Sequence, residues 1–297
     1  MTEALTEIMI CTFRRPHLGE TLASLSRQKD AGPFSVIVAD NDDVPSARDK
    51  VATMSGDLPY PVTYIHAPAR NISIARNACL DAATADFVAF LDDDEIAAPD
   101  WLSRLRQKQR QTGADAIFGP ALAVYGAQAP AWMVDQDHHS NIPKRRGEIV
   151  ETGHSCNALL AWAGKPWTSE RFDLSRGKTG GEDTEFFFRL RQMGAHFEIA
   201  EDAIVTEDVA PNRLNAEWLT KRQFRAGQSY AVSANGHVAR MKLLSTAAGK
   251  WGYCRARSAL ARDEASRMFW TVRAALHRGV CAGLLRLPEA ELYGSSP

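Results

Sequence analysis

Residues 69–95 read ARNISIARNACLDAATADFVAFLDDDE, and the fold turns on how this stretch divides. Residues 73–83 (SIARNACLDAA) have helical character, with Ser73 placed to cap the helix start. Residues 87–91 (FVAFL) are wholly apolar, as in a strand buried on both faces. Four acids follow at once. The same rhythm runs outward. Residues 7–13 (EIMICTF), 34–39 (FSVIVA) and 62–66 (VTYIH) read as strands, and 17–28, 45–54 and about 100–111 as helices. Alternating strands and helices predict an α/β fold with a Rossmann-like, mostly parallel sheet flanked by helices. Ligands of such sheets sit beyond the carboxyl ends of the strands. That rule selects Thr12 to Arg15, Asp40 to Asp43 and Asp92 to Glu95.

Three adjacent aspartates at a strand end repel one another, and burial would raise their pKa values. A divalent cation removes that penalty. Mg²⁺ and Mn²⁺ take oxygen ligands, and Mg²⁺ often uses one or two carboxylates together with substrate phosphates. Asp92 and Asp94 lie two apart, so in extended backbone they share a face and can address one metal–diphosphate. A solvated acidic turn leading into the helix near Asp100 is the plainer alternative. A second acidic motif stands at residues 179–190 (TGGEDTEFFFRL). Its glycines allow close backbone approach. Glu182 and Asp183 then open a helix, whose dipole favours the ionised carboxylate. Such a group can accept a proton from a sugar hydroxyl; ordinary helix capping explains the same pattern. Phe186, Phe187 and Phe188 read as core.

The second half is less regular. Residues 115–125, 155–162 and 197–200 suggest strands, 126–150 a long loop, 182–193 and 216–234 helices, and 237 onward one or two basic helices. The expected division is a catalytic domain over 1–235 and a basic helical segment over 236–297. The 297 residues suffice for one large domain, or one domain with an appendage. Net charge is −1, but residues 236–287 hold ten Lys/Arg and two acids, a local +8, against 25 basic and 34 acidic residues elsewhere. Five cysteines without a C-x-x-C pair indicate neither a disulfide framework nor a zinc site. The start MTEALTE lacks the character of a signal peptide, and no run of about 18 apolar residues occurs. A cytoplasmic protein is expected, peripheral on the inner face of the cytoplasmic membrane if the basic helices bind lipid. Those helices packing their apolar faces on the catalytic domain is the competing expectation.

Together the segments MICTFRRP (9–16), VIVADNDD (36–43), residues 69–95 and GGEDTEFFFRL (180–190) resemble family 2 glycosyltransferases of the GT-A fold, especially bacterial exopolysaccharide enzymes of the succinoglycan type. The resemblance spans roughly residues 5–230 and keeps four motifs in order. It implies that Asp40 accepts a hydrogen bond from a uracil-like base, that Thr12 and Arg14 lie along the nucleoside, and that Arg76 sits near the base and the aspartates. Asp92 would contact ribose or metal, and Asp94 would ligate Mn²⁺ or Mg²⁺. Asp183 would deprotonate the acceptor hydroxyl, with Gly181 and Glu182 at the acceptor. The implied reaction inverts the anomeric centre, moving one sugar from a nucleotide-diphosphate sugar to a glycan or lipid-linked acceptor. Two departures stand out. Processive relatives carry Q-x-x-R-W and spanning helices, whereas this chain has Gln223-Phe224-Arg225-Ala226-Gly227, which argues for single transfers. Relatives often place a histidine after the strand near 205; this chain has VTEDV, with Glu207 and Asp208. Arg222 and Arg225 either reach the pyrophosphate or form a solvated basic face.

The rivals are fewer. Residues 11–19 (CTFRRPHLG) lack the G-x-G-x-x-G turn of a nicotinamide dehydrogenase, and no P-loop motif occurs. Nothing points to nucleic acid. A non-catalytic nucleotide-sugar-binding or scaffold protein of the same fold remains the alternative from another class.

Overall fold

A computed structural model describes residues 3–231, 234 and 236–288. The chain divides into two compact units. The first comprises 1–124, 140–177 and 186–208; the second comprises 125–139, 178–185 and 209–297. The described residues 236–288 thus share a unit with three earlier segments.

The first unit is built on a seven-stranded sheet. Its strands are β1 (Thr6–Thr12), β2 (Phe34–Asp40), β3 (Val62–His66), β4 (Phe87–Leu91), β6 (Ala116–Phe118), β8 (Asn157–Ala161) and β9 (Phe197–Ile199). The order is β3-β2-β1-β4-β8-β6-β9. β1 to β4 are mutually parallel, β8 runs antiparallel to both β4 and β6, and β9 is parallel to β6. A second, three-stranded sheet orders β5 (Glu95–Ala97), β10 (Val205–Asp208) and β7 (Ala121–Val124) as β5-β10-β7.

Alternation along the strands makes two cores, one per face of the large sheet. Ile8, Ile10, Val36, Val38, Ala89 and Leu91 pack on one side with Leu18, Leu22 and Leu25 of α1 (Leu18–Leu25) and Trp101, Leu102 and Leu105 of α4 (Trp101–Thr112). Met9, Ile37, Val88 and Phe90 face the other way, onto Ala75, Cys79 and Leu80 of α3 (Ile72–Ala82) and Phe186, Phe187 and Leu190 of α6 (Glu182–Gln192). The fourth early helix is α2 (Arg48–Ser55). This is a mixed α/β architecture with helices on both faces. Strand order reverses direction between β1 and β4, so the loops after those two strands open into one crevice.

The second unit contains α5 (Ala131–Gln136), α7 (Ala216–Tyr230), α8 (His237–Ala259) and α9 (Glu264–Leu284), with α9 packing on both α7 and α8. Among the described residues no helix is long and apolar enough to cross a membrane.

Several local expectations change. Asn71, not Ser73, caps α3: its side-chain oxygen accepts from the backbone N–H groups of Ser73 and Ile74. Residues 115–125 form two short strands, β6 and β7, in different sheets, because the chain turns at Gly119-Pro120. The expected loop 126–150 includes α5, which opens after Pro130. The helix expected over 216–234 is described to Tyr230; residues 232, 233 and 235 lie outside the described residues.

Candidate active site

The acids after β4 sit at different depths. Asp92 and Asp94 keep partly open side chains, at 43% and 17% exposure, while Asp93 is nearly buried and Glu95 wholly so. Depth follows chain direction. Asp92 to Asp94 make the turn out of β4, and Glu95 already lies in β5. There Glu95 faces Glu207 of β10 in an antiparallel register. The Asp92 amide donates to Glu95 at 2.9 Å. Burial, with the Asp94 carboxylate beside it, raises Asp93 to about 7. Burial also raises Glu95 well above the usual carboxylate range, helped by Asp92 and Glu207. One buried oxygen each of Asp93 and Glu95 has no hydrogen-bond partner. Concentrated, under-neutralised carboxylate at a strand's carboxyl end is the chemistry a divalent cation suits. Among the described residues no three acid, His or Cys side chains form a ready-made cage. The donor set therefore fits a cation completed by substrate phosphates rather than one held by protein alone.

Two arginines border the acids. Arg15, from the loop after β1, places Nε 3.6 Å from Asp93 and Nη2 3.3 Å from Asp94. Arg76, on the buried face of α3, stands 3.7 Å from Asp92 and 5.4 Å over the Phe172 ring. Arg76 thus stands beside Asp92, as a salt bridge from helix to loop. Arg15 lies in the loop Thr12 to Arg15 that the strand-end rule selects, where the residue types alone assign it no role of its own.

Thr12 ends β1 and is buried. Arg14, with φ of 54°, turns to Asp42 and makes two hydrogen bonds of 2.8 and 2.9 Å. That pairing holds Asp42 at about 2. Asp40 ends β2 fully buried. Its oxygens accept from the amides of Asp42 and Ala47 and from the Tyr64 hydroxyl. A cleft of about 340 Å³ lies here, lined by Arg14, Arg15, Ser46 and Lys50. A larger cavity near the opposite strand ends, beside Leu5, Pro33 and Tyr60, has no charged side chain in its lining and is far less suited to a phosphate. Thr12, Arg14, Asp40, Arg76, Asp92 and Asp94 all belong to the first unit.

Gly181, Glu182 and Asp183 belong to the second. Gly180 and Gly181 take φ of 87° and 82°, so the chain enters α6 through two consecutive left-handed residues. Asp183 stands in the first turn, half-buried, and accepts from the Thr184 amide at 2.6 Å. Glu182 is buried. The turn is held by α7. Arg225 Nε donates to the Thr179 carbonyl at 2.5 Å, and Nη2 donates to the Thr179 hydroxyl at 3.1 Å and to the Gly180 carbonyl. Arg225 is 2% exposed, so of its two expected roles the solvated basic face does not form. One turn earlier, Arg222 lies 5.3 Å from the Trp218 ring, which stacks on His139. Trp218, Arg222, Arg225 and Ser229 form one ridge of α7, spaced four, three and four apart.

A family model for glycosyl transferase family 2 matches residues 7–172. Over 97% of this chain and 96% of the relative, 45% of residues are identical to the succinoglycan biosynthesis protein ExoM of Rhizobium meliloti (strain 1021). The chain belongs to glycosyl transferase family 2. It is a glycosyltransferase, and the non-catalytic reading is set aside. A family member from Haloferax volcanii, a glucosyl-dolichyl phosphate glucuronosyltransferase, is 30% identical over 76% of each chain. In fold, the chain is similar to the mannosyltransferase PcManGT from Pyrobaculum calidifontis, solved with GDP-Man and Mn²⁺ (TM-score 0.63, 18% identity, 95% of this chain and 87% of that one). The fold is GT-A. The TarS structure of S. aureus shares it more distantly (TM-score 0.53, 14% identity, 93% and 54%).

Proposed function

We propose that this family 2 enzyme transfers one sugar, with inversion, from a nucleotide-diphosphate sugar, a UDP-sugar by preference, to a hydroxyl of a glycan or lipid-linked acceptor in polysaccharide biosynthesis. The observation that carries this is the carboxylate cluster after β4, with its orphaned buried oxygens and bordering arginines. Its likeness to an exopolysaccharide protein over nearly the whole chain supports the pathway. Asp94 with Asp92 would hold Mn²⁺ or Mg²⁺, which would supply charge stabilisation for the diphosphate. Arg15 and the buried Arg76 hold the aspartates in place, and Arg15, 39% exposed, is the one that leaves cationic surface for the phosphates. Thr12, Arg14 and Asp40 form the nucleoside side. Arg14 acts there through its Asp42 pair, and Asp40 by shaping the end of β2. Asp183 takes the acceptor hydroxyl proton as the acceptor oxygen bonds to the anomeric carbon and the bond to the diphosphate breaks, while Gly181 and Glu182 shape the acceptor side. The enzyme works at the cytoplasmic face of the membrane, as a peripheral protein, with residues 1–235 carrying the catalysis.

The test is a thermal-shift screen of UDP- and GDP-sugars with and without Mn²⁺, followed by donor turnover. A nucleotide sugar that binds the folded chain raises the melting point by mass action. Cation-dependent stabilisation and turnover by a UDP-sugar are expected. Full turnover in excess EDTA would sink the metal-assisted mechanism.

A further inference from the structure

α8 packs on α9 along a single stripe. Leu243, Leu244 and Ala247 line it, Cys254 is buried, and Ser258 Oγ meets Thr271 Oγ1 at 2.8 Å. The side of such a helix facing water should be polar throughout. Here Val238 is 81% exposed and Leu260 78%, with Met241 and Tyr253 also more than half exposed. The helix carries Arg240, Lys242, Lys250, Arg255 and Arg257 and has no Asp or Glu anywhere in its 23 residues. Arg240 turns back to the Leu284 carbonyl of α9, while Lys242, Lys250, Arg255 and Arg257 stay exposed alongside the apolar side chains.

The junction with α9 adds rings. Tyr253 meets Trp270 edge-on at 5.6 Å, and Phe269 meets Trp270 at 5.0 Å. The Arg257 guanidinium lies 4.9 Å from the Trp270 centroid, and Arg273 lies 5.2 Å from Phe269. Trp and Tyr beside snorkelling arginines make up the boundary between headgroups and hydrocarbon.

We propose that this outward surface of α8, with the ring and arginine cluster at its α9 junction, docks the enzyme on a bilayer of anionic phospholipid. Charge complementarity selects the occupant. The cations sit on long stems spread along a helix about 35 Å long, which suits smeared negative charge better than fixed carboxylates on a protein. A nucleic acid would leave Val238, Met241 and Leu260 in water. The inference rests on the membrane placement proposed above and is independent of the sugar chemistry.

The experiment is co-sedimentation of the full chain with phosphatidylcholine vesicles, with and without phosphatidylglycerol, at low and high salt. Binding should require phosphatidylglycerol and weaken with salt. Lys250→Gln with Arg255→Gln should lower affinity roughly 30-fold, about a factor of five for each cation near an anionic surface. Val238→Gln with Met241→Gln should weaken the binding that survives high salt. All four positions are exposed, so melting temperatures should not move. No pelleting at low salt, or equal pelleting with neutral vesicles, overturns the proposal. Undiminished binding by the Lys250/Arg255 variant overturns the assignment to α8 while leaving membrane association standing. RNA bound more tightly than anionic vesicles, or self-association lost in the Val238/Met241 variant, overturns it in favour of another occupant. Donor turnover in solution is a separate readout, so losing the docking face and losing the glycosyl-transfer reading give different results.

Discussion

Asp93 lies between two partly open aspartates and turns its own carboxyl inward, so it pays for the cluster in desolvation. Its raised value, about 7 against an ordinary 3.8, means the folded chain keeps a proton that the unfolded chain releases. Without a cation, stability should therefore fall between about pH 4 and pH 7 and level off above. Each unit is worth about 1.4 kcal/mol, so the penalty above pH 7 is on the order of a few kcal/mol. Glu95 shifts in the same direction, so one substitution removes only part of it. Asp93→Asn should raise the melting point at about pH 8 and leave it unchanged near pH 4, as a series of thermal melts would show. Asp94→Ala should abolish donor turnover, and with it the Mn²⁺-dependent thermal shift produced by UDP. Asp183→Asn keeps size but removes the base, so transfer should fall by ~10²–10⁴ while donor affinity holds. A collapse of donor affinity would place Asp183 in the donor site or in the fold. Asp92 and Asp94 were legible as acids at a strand's carboxyl end, but the shared face expected of extended backbone does not apply, because residues 92–94 form a turn. The inward turn of Asp93 was not, because burial depends on β5 pairing with β10, far along the chain.

The element that organises the second unit is α7. One ridge braces the Thr179–Gly180 turn through Arg225; the opposite side meets α9 at very short range. A Cβ on Gly227 would stand 2.0 Å from the Leu276 carbonyl, and one on Gly279 1.9 Å from the Phe224 carbonyl. These neighbours are backbone and cannot swing away. Gly227→Ala or Gly279→Ala should thus force α7 and α9 apart and cost roughly 1–3 kcal/mol or more, as overpacking does, measurable by denaturant unfolding. Arg225→Lys tests the other ridge. An ammonium is a point donor and cannot span the contacts that a planar fork makes. Amide hydrogen exchange across 178–185 should quicken in the variant. Transfer should drop by about 10², since small misplacements of catalytic groups cost that much, with the UDP–Mn²⁺ thermal shift intact. Unchanged exchange would show that α7 does not hold the turn. Neither role is visible in the Gln223-Phe224-Arg225-Ala226-Gly227 stretch, which the sequence offers only as a departure from Q-x-x-R-W with Arg225 at the pyrophosphate or in water.

At the scale of the whole chain, the C-terminal helices matter to the fold as well as to any surface they meet. α7 buries Leu219, Gln228 and Ser229, and Ala231 follows it; Val272 of α9 packs with Leu219, and Val280 and Leu284 of α9 pack with Ala231. A chain ending at residue 235 should expose that stripe and leave α7, which carries the Arg225 brace on Asp183's turn, without its α9 support. It should aggregate or melt well below the full chain, and any surviving fold should bind UDP–Mn²⁺ yet fail in transfer. Equal melting points would make residues 236–297 a dispensable appendage.

The sequence by itself determined the βαβ rhythm, the three carboxyl-end loops, the acidic run and the family, because apolar periodicity and short motifs are local properties. Only the tertiary structure decided which neighbours those loops acquire. Arg15 reaches Asp93 and Asp94 because β1 and β4 are adjacent at the point where strand order reverses. Arg14 turns away to Asp42, across the β1–β2 pair. Asn71 takes the α3 cap from Ser73 because the Asn41 side chain, at the end of β2, accepts the Asn71 amide hydrogen and sets the entry of the helix. Arg225 leaves water because a glycine turn 46 residues earlier presents it with bare carbonyls. In each case the deciding partner is distant in sequence, and a buried charge or amide takes whichever partner the packing brings within reach.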